Sequence, residues 1–117
     1  MTSLSEMMSR VQLPPEGPGE DAPAPEAAAD ILQGYRQLTA SMESQMRGTW
    51  TDASLDEEFN MYGQQWTTAK TLHVLLRHEI HHRAQLTVLM RQAGLRVPGI
   101  YGPSREEWSA MGMEAHS

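Results

Sequence analysis

The sequence predicts an all-α fold in which two long helices are accompanied by short N- and C-terminal ones. Three observations carry that expectation. Apolar residues recur at helical spacing in a stretch ending near Gly48 and again from Thr67 to Ala93. A proline-rich stretch sets the first short helix apart from the rest. Two Ser-x-x-Glu capping boxes, Ser3/Glu6 and Ser104/Glu107, mark short helices near the two ends.

Taken in chain order, residues 3–12 form the first short helix, with Leu4, Met7, Met8 and Val11 on one side. Residues 13–25 carry Pro14, Pro15, Pro18, Pro23 and Pro25, which neither a helix interior nor a central strand tolerates, so the segment reads as a linker. The first long helix starts near Pro25, a favoured first-turn residue, with Glu26 at the positive end of the helix dipole. Its stripe is Ile31, Tyr35, Leu38, Met42 and Met46, and Gly48 is the expected stop. From Trp50 to Trp66 no helical period is visible. That stretch is expected to be mostly loop, in part extended, with a short acidic turn capped by Asp52 or Ser54 and reaching Glu58. The second long helix runs from Thr67 or Thr68 to Ala93, with a threonine N-cap and Gly94 past its end. Residues 95–103 then read as loop, and Ser104 opens a short helix around Trp108.

Composition bounds the function. At 117 residues and 13.1 kDa the chain makes one domain or part of one. A net charge of −6 argues against nucleic acid and anionic lipid as partners. Without cysteine, thiolate metal sites and disulfides are excluded, and any metal must sit on His, Asp or Glu. The first ten residues lack the basic start and apolar core of a signal peptide, and no run approaches the ~20 apolar residues of a membrane span. The expectation is a soluble, cytoplasmic protein.

The chemistry concentrates on the second long helix, where His73, His78, His81 and His82 lie within ten residues. At about 100° per residue His82 stands about 40° from His78 and one turn along, so the two imidazoles project side by side, as two ligands of one metal ion must. Leu75, Leu86, Leu89 and Ala93 share that side, so the pair is expected to face the interior. His73, about 140° from His78, should face solvent. His81, about 60° to the other side, stands near enough to support the pair or to serve as an alternative ligand. A buried imidazole pair with no shared cation would leave two strongly polar rings in need of partners.

His78-Glu79-Ile80-His81-His82 also fits the HExxH pattern of zinc peptidases, with Glu79 as base. The extensions of that pattern are missing, since Gln85 and Val88 stand where glycine and a third histidine belong. A glutamate third ligand would have to be Glu106 or Glu107, which the capping box already explains. Glu79 and Arg83, at i, i+4, read as a helix-supporting salt bridge.

The run Tyr62-Gly63-Gln64-Gln65-Trp66-Thr67, then His78-Glu79-Ile80-His81-His82-Arg83-Ala84-Gln85-Leu86, then Gly94 to Ser104 with its Gly-x-x-x-Pro loop, closely resembles the C-terminal part of the DinB family of metal-binding four-helix bundles. The likeness is strong over residues 62–108 and general upstream. The resemblance implies one partial DinB-like domain over residues 1–117, an incomplete up-down helical bundle, and a divalent metal, zinc, nickel or iron, on three histidines, of which two map onto His78 and His82, with His81, Glu79, water or another subunit left to fill the third place. The family's third histidine comes from the early half of the bundle, and this sequence has none before His73. The family's first helix is expected to be missing by N-terminal truncation, with residues 3–12 a surviving end, and the metal is expected to be weakly held.

Family resemblance further implies metal-dependent transfer between a low-molecular-weight thiol and an electrophilic small molecule. That is the leading functional reading. A non-catalytic truncated bundle acting through association is the alternative, and an HExxH peptidase comes third. Self-association into a homodimer or larger oligomer is expected, because the absent helix leaves apolar flanks uncovered and nine methionines add adaptable contact surface.

Overall fold

In the computed structural model, which describes residues 2–114, the chain opens with helix α1 (Thr2–Arg10). Its apolar side is where the spacing puts it: Leu4, Met7, Met8 and, just past the end, Val11 are buried. The helix closes on Gln12, whose φ of 59° is left-handed. Gln12 N–H donates to the Ser9 carbonyl at 3.1 Å and Leu13 N–H to the Met8 carbonyl at 3.0 Å. In this Schellman arrangement the residue after the left-handed one folds back over the last turn. Leu13 and Met8 accordingly share one buried cluster. A non-glycine in the left-handed region costs on the order of 1 kcal/mol, and burying a leucine side chain, worth about 1.5–3 kcal/mol, outweighs it.

The Ser3/Glu6 capping box does not form. The helix already begins at Thr2, which leaves Ser3 inside it. Glu6 instead pairs with Arg10 at 3.0 Å and accepts a hydrogen bond from the Tyr62 hydroxyl at 3.1 Å.

Residues 13–25 hold no helix or strand, as the prolines require. They are nonetheless fastened along the next helix. Glu16 N–H donates to Ser41 Oγ at 2.8 Å, and Gln45 Nε2 donates to the Pro14 carbonyl at 3.0 Å. Gly17 has φ 141°, and a Cβ there would stand 2.9 Å from Leu38 Cγ, so only glycine lets the strap lie this close.

Helix α2 (Ala28–Thr49) starts three residues after Pro25, so Pro25 and Glu26 lie outside it and Asp30 is the acid of its first turn. Gly48 falls inside the helix, which Trp50 ends by donating its N–H to the Met46 carbonyl at 3.0 Å. Of the expected stripe, Leu38 is fully buried and Met42 and Met46 pack against the cluster, whereas Ile31 and Tyr35 are exposed. Nine helical residues span roughly 13 Å and 22 span roughly 33 Å, so α1 has the length to cover only part of α2.

The segment expected as loop is more ordered than its sequence suggests. A 3-10 turn (Asp52–Asp56) is capped by Thr51 with Ser54. It leads into an antiparallel hairpin of β1 (Glu58–Met61) and β2 (Gln64–Thr67), in which Glu58 faces Thr67 and Met61 faces Gln64. Tyr62 and Gly63 take φ of 56° and 83°, as a two-residue type I′ turn requires, and Asn60 Oδ1 accepts the Gly63 N–H at 2.9 Å. Met61 enters the cluster from this hairpin.

Helix α3 (Thr68–Gln92) agrees with expectation at both ends. Thr67 Oγ1 accepts the Lys70 N–H at 3.1 Å, and Gly94, φ 70°, closes a Schellman turn in which Leu95 N–H donates to the Met90 carbonyl at 2.9 Å. Two units divide the chain, residues 1–77 and 78–117, with the boundary inside α3. The first is built on the cluster of Leu4, Met7, Met8, Val11, Leu13, Leu38, Met61 and Leu75. Thr71, buried there too, donates its hydroxyl to the Thr67 carbonyl at 3.1 Å.

Polar ties hold the second unit. Glu107 accepts from Ser104 N–H at 2.9 Å, closing the expected capping box at the start of α4 (Arg105–Ala110), and from Gly99 N–H at 3.1 Å. A Cβ on Gly99 would lie 2.5 Å from the Gly102 carbonyl oxygen, which reserves the position for glycine. Arg91 of α3 pairs with Glu106, whose carboxyl is held down to about 2 first by that hydrogen bond.

Leu38 is the one residue through which α2 enters the cluster fully buried, so Leu38→Ala is expected to leave a cavity and lower stability by about 2–5 kcal/mol. Urea unfolding followed by far-UV circular dichroism measures it, and an unchanged midpoint would contradict the role given to Leu38.

Candidate metal centre

His78 and His82 lie one turn apart on α3, and their rings meet edge to face with centroids 4.4 Å apart. The two Nε2 atoms are 2.9 Å apart. Spacing alone puts the rings on one side of the helix, but it does not choose which nitrogens converge. Gln85, three residues on, makes that choice for His82, its Oε1 lying 2.8 Å from His82 Nδ1. The assignment that satisfies these contacts places the His82 proton on Nδ1, where it is donated to Gln85, and leaves Nε2 as an acceptor for the Nε2–H of His78. One proton thus bridges two nitrogens aimed at a common point.

The separation of the two nitrogens is close to that of two imidazole ligands on one ion. Zinc bonds imidazole at about 2.0–2.1 Å, so two ligand nitrogens of a tetrahedral site stand roughly 3.3 Å apart, a few tenths of an ångström beyond the separation here. Gln85 also supplies the contact to the remote ring nitrogen that metal-binding histidines ordinarily have, fixing tautomer and ring orientation. Sequence reasoning passed over this residue. Its signal was the i, i+3 spacing to His82, which places two polar side chains on neighbouring turns.

The other expected residues fall as follows. His73 is exposed, in agreement with its place on the helical wheel. His81 is exposed, with its ring centroid 5.3 Å from that of His82. Glu79 is half-buried. The interior placement of the pair needs correction: His78 is half-buried and His82 is exposed. Leu86 and Leu89, the apolar residues expected to flank the pair in the interior, are 56% and 60% exposed, so no apolar layer closes over His82. A second correction concerns Arg83, which forms no ion pair with Glu79. Its guanidinium donates instead to the Tyr101 hydroxyl at 2.7 Å, because the Gly-x-x-x-Pro loop brings that ring to it.

Among the described residues, no group of three or more His, Asp or Glu side chains is placed to hold a metal. Glu106 and Glu107, the carboxylates that a thermolysin-like site would need, are committed to Arg91 and to the Ser104 and Gly99 amides. Those amides, Ser104 first, hold the Glu107 carboxyl below its usual range.

The chain matches the DinB family over residues 7–115. It is 43% identical over 115 residues to the uncharacterized protein YrdA of Bacillus subtilis strain 168, an alignment covering 98% of this chain and 69% of that protein. The crystal structure of a DinB-like protein from Bacillus cereus ATCC 10987 superposes with a TM-score of 0.78 at 36% identity, covering 85% of this chain and 68% of that one.

The Gln85 contact has a direct consequence. In Gln85→Ala the His82 proton loses its acceptor on the Nδ1 side, and the ring is expected to shift from the Nδ1–H toward the Nε2–H tautomer. Nitrogen-15 chemical shifts of the imidazole read the ratio, and identical tautomer ratios in the two proteins would remove Gln85 from the site.

Proposed function

Because the chain belongs to the DinB family, we propose that it binds a divalent metal ion, zinc, nickel or iron, through His78 and His82, in a fold whose ancestral chemistry is thiol-dependent transfer. The convergence of the two Nε2 atoms at 2.9 Å, with Gln85 on the far nitrogen of His82, carries this reading. When bound, such an ion supplies Lewis acidity that lowers the pKa of a low-molecular-weight thiol and presents its thiolate to an electrophile. The chain's own part is to bind and orient. Gln85 keeps the lone pair of His82 on Nε2, and the helix holds His78 one turn away from it.

Two imidazoles fall short of the three protein ligands that catalytic zinc sites keep. An ion held by these two residues alone would need water for its remaining positions, would exchange readily, and would be open to competition from an added thiol. This chain is therefore expected to hold metal weakly and to show negligible thiol-transferase turnover. Calorimetric titration with zinc tests the binding: His78→Ala and His82→Ala should each abolish the saturable uptake and His73→Ala should leave it unchanged, whereas equal loss at all three would refute the pairing. Turnover with a thiol and a chloronitrobenzene, against the metal-loaded chain, tests the chemistry.

A second reading, association with another copy, is favoured by large apolar residues that stand at the surface. Ile31 in the first unit and Leu86, Val88 and Leu89 in the second are all exposed. Sedimentation velocity at micromolar concentration is expected to show a dimer or larger species. A sharp monomer boundary would count against it.

A further inference from the structure

Arg83 stands apart from the other arginines that make contacts on this chain. Arg10, Arg47 and Arg91 each pair with a carboxylate, Glu6, Glu43 and Glu106 respectively. Glu79, one turn before Arg83, is not within ion-pair distance of it, nor is any other carboxylate among the described residues. The guanidinium instead donates one N–H to the Tyr101 hydroxyl at 2.7 Å and lies 5.3 Å from the centre of the Tyr101 ring. Both side chains line a half-open cavity of about 170 Å³, whose remaining walls are Ile80, Ala84 and Thr87 of α3 and Ile100 of the loop. A larger cavity along the same helix is lined by Arg91, but there the cation is already spent on Glu106.

From this geometry we infer that the cavity framed by Arg83 and Tyr101 is a binding site for a small carboxylate that carries an apolar body. A guanidinium has five N–H donors and Tyr101 occupies one, so donors remain for an incoming anion. The hydroxyl that accepts from Arg83 keeps its own proton, which it donates onward. A carboxylate at the mouth thus meets a charge-assisted donor and a neutral one side by side, the arrangement in which Arg-carboxylate recognition gains both strength and direction. The other walls are chiefly hydrocarbon, from Ile80, Ala84 and Ile100, and suit a phenyl or branched aliphatic group. At about 170 Å³ the space takes a fragment of benzoate size and excludes a nucleotide or a peptide. A neutral or cationic analogue gains the apolar contact and loses the ionic one. The site uses neither His78 nor His82 and holds with or without metal.

Benzoate is the probe and benzamide its neutral counterpart, titrated into the nitrogen-15-labelled chain with chelator present. Saturable shifts are expected at the amides of Thr87, Ile100 and Tyr101. Because the cavity is half open, the dissociation constant should be of the order of millimolar. Benzamide should bind at least about tenfold more weakly, as should benzoate to Arg83→Gln, since each change removes a charge-assisted hydrogen bond. Tyr101→Phe keeps the ring and the cation and should lose about threefold to tenfold. Arg105→Gln, away from the cavity, should bind like the parent. Equal affinity for benzoate and benzamide, unsaturable shifts, or unchanged affinity in a folded Arg83→Gln would overturn the assignment. Should Arg83→Gln fail to fold, the Tyr101→Phe titration decides, and an unchanged constant there overturns it.

Discussion

The apolar side of α1 is the constraint on which the rest of the first unit depends. A helix of nine residues is too short to persist alone in water, because nucleation costs more than so few hydrogen bonds return. It persists here because Leu4, Met7, Met8 and Val11, with Leu13 folded back by the left-handed turn at Gln12, meet Leu38, Met61 and Leu75 in one cluster. Those three come from α2, the hairpin and α3, so a single patch of hydrocarbon ties α1 to the other helices and to the hairpin of the first unit. The proline-rich strap follows from the same contact: it lies along α2 because its start is anchored at Leu13, and Gly17 lets it pass over Leu38.

The second unit is organised differently. Among the described residues its one buried hydrophobic side chain is Val97, and its loop is held by Arg83 on Tyr101, Arg91 on Glu106, and Glu107 on two backbone amides. Solvent screens exposed ion pairs and hydrogen bonds, so these contacts specify position more than they add stability. Positioning is what a recognition surface needs. The helix fixes one end of each contact and the loop supplies the other.

The histidine pair draws its geometry almost entirely from the helix that bears it. An i, i+4 pair needs only an intact α3 to bring the rings together, and Gln85, also on α3, sets the tautomer. The helix thus brings two ring nitrogens together, and among the described residues no third His, Asp or Glu completes a metal-holding group with them. A site built on one helix has the precision of that helix and the ligand count of one of its faces.

By itself the sequence determined what local rules decide. The ends of α3, the burial of Leu4, Met7, Met8 and Val11, the capping of α4, the exposure of His73 and the adjacency of His78 and His82 all follow from periodicity, capping and left-handed glycine, each acting within a few residues. Tertiary structure decided what depends on distant partners. The Tyr62-Gly63 turn needed Asn60 and a buried Met61 to close a hairpin where no helical period existed. Glu6 abandoned its cap for Arg10 and Tyr62, and Arg83 abandoned Glu79 for Tyr101, because a side chain with two partners in reach takes the one the fold brings closer. Burial was the least legible of all. A helical wheel assigns Leu86, Leu89 and His82 to the apolar side of α3, but whether that side is covered depends on what packs against it, and a pattern within one helix carries no information about that.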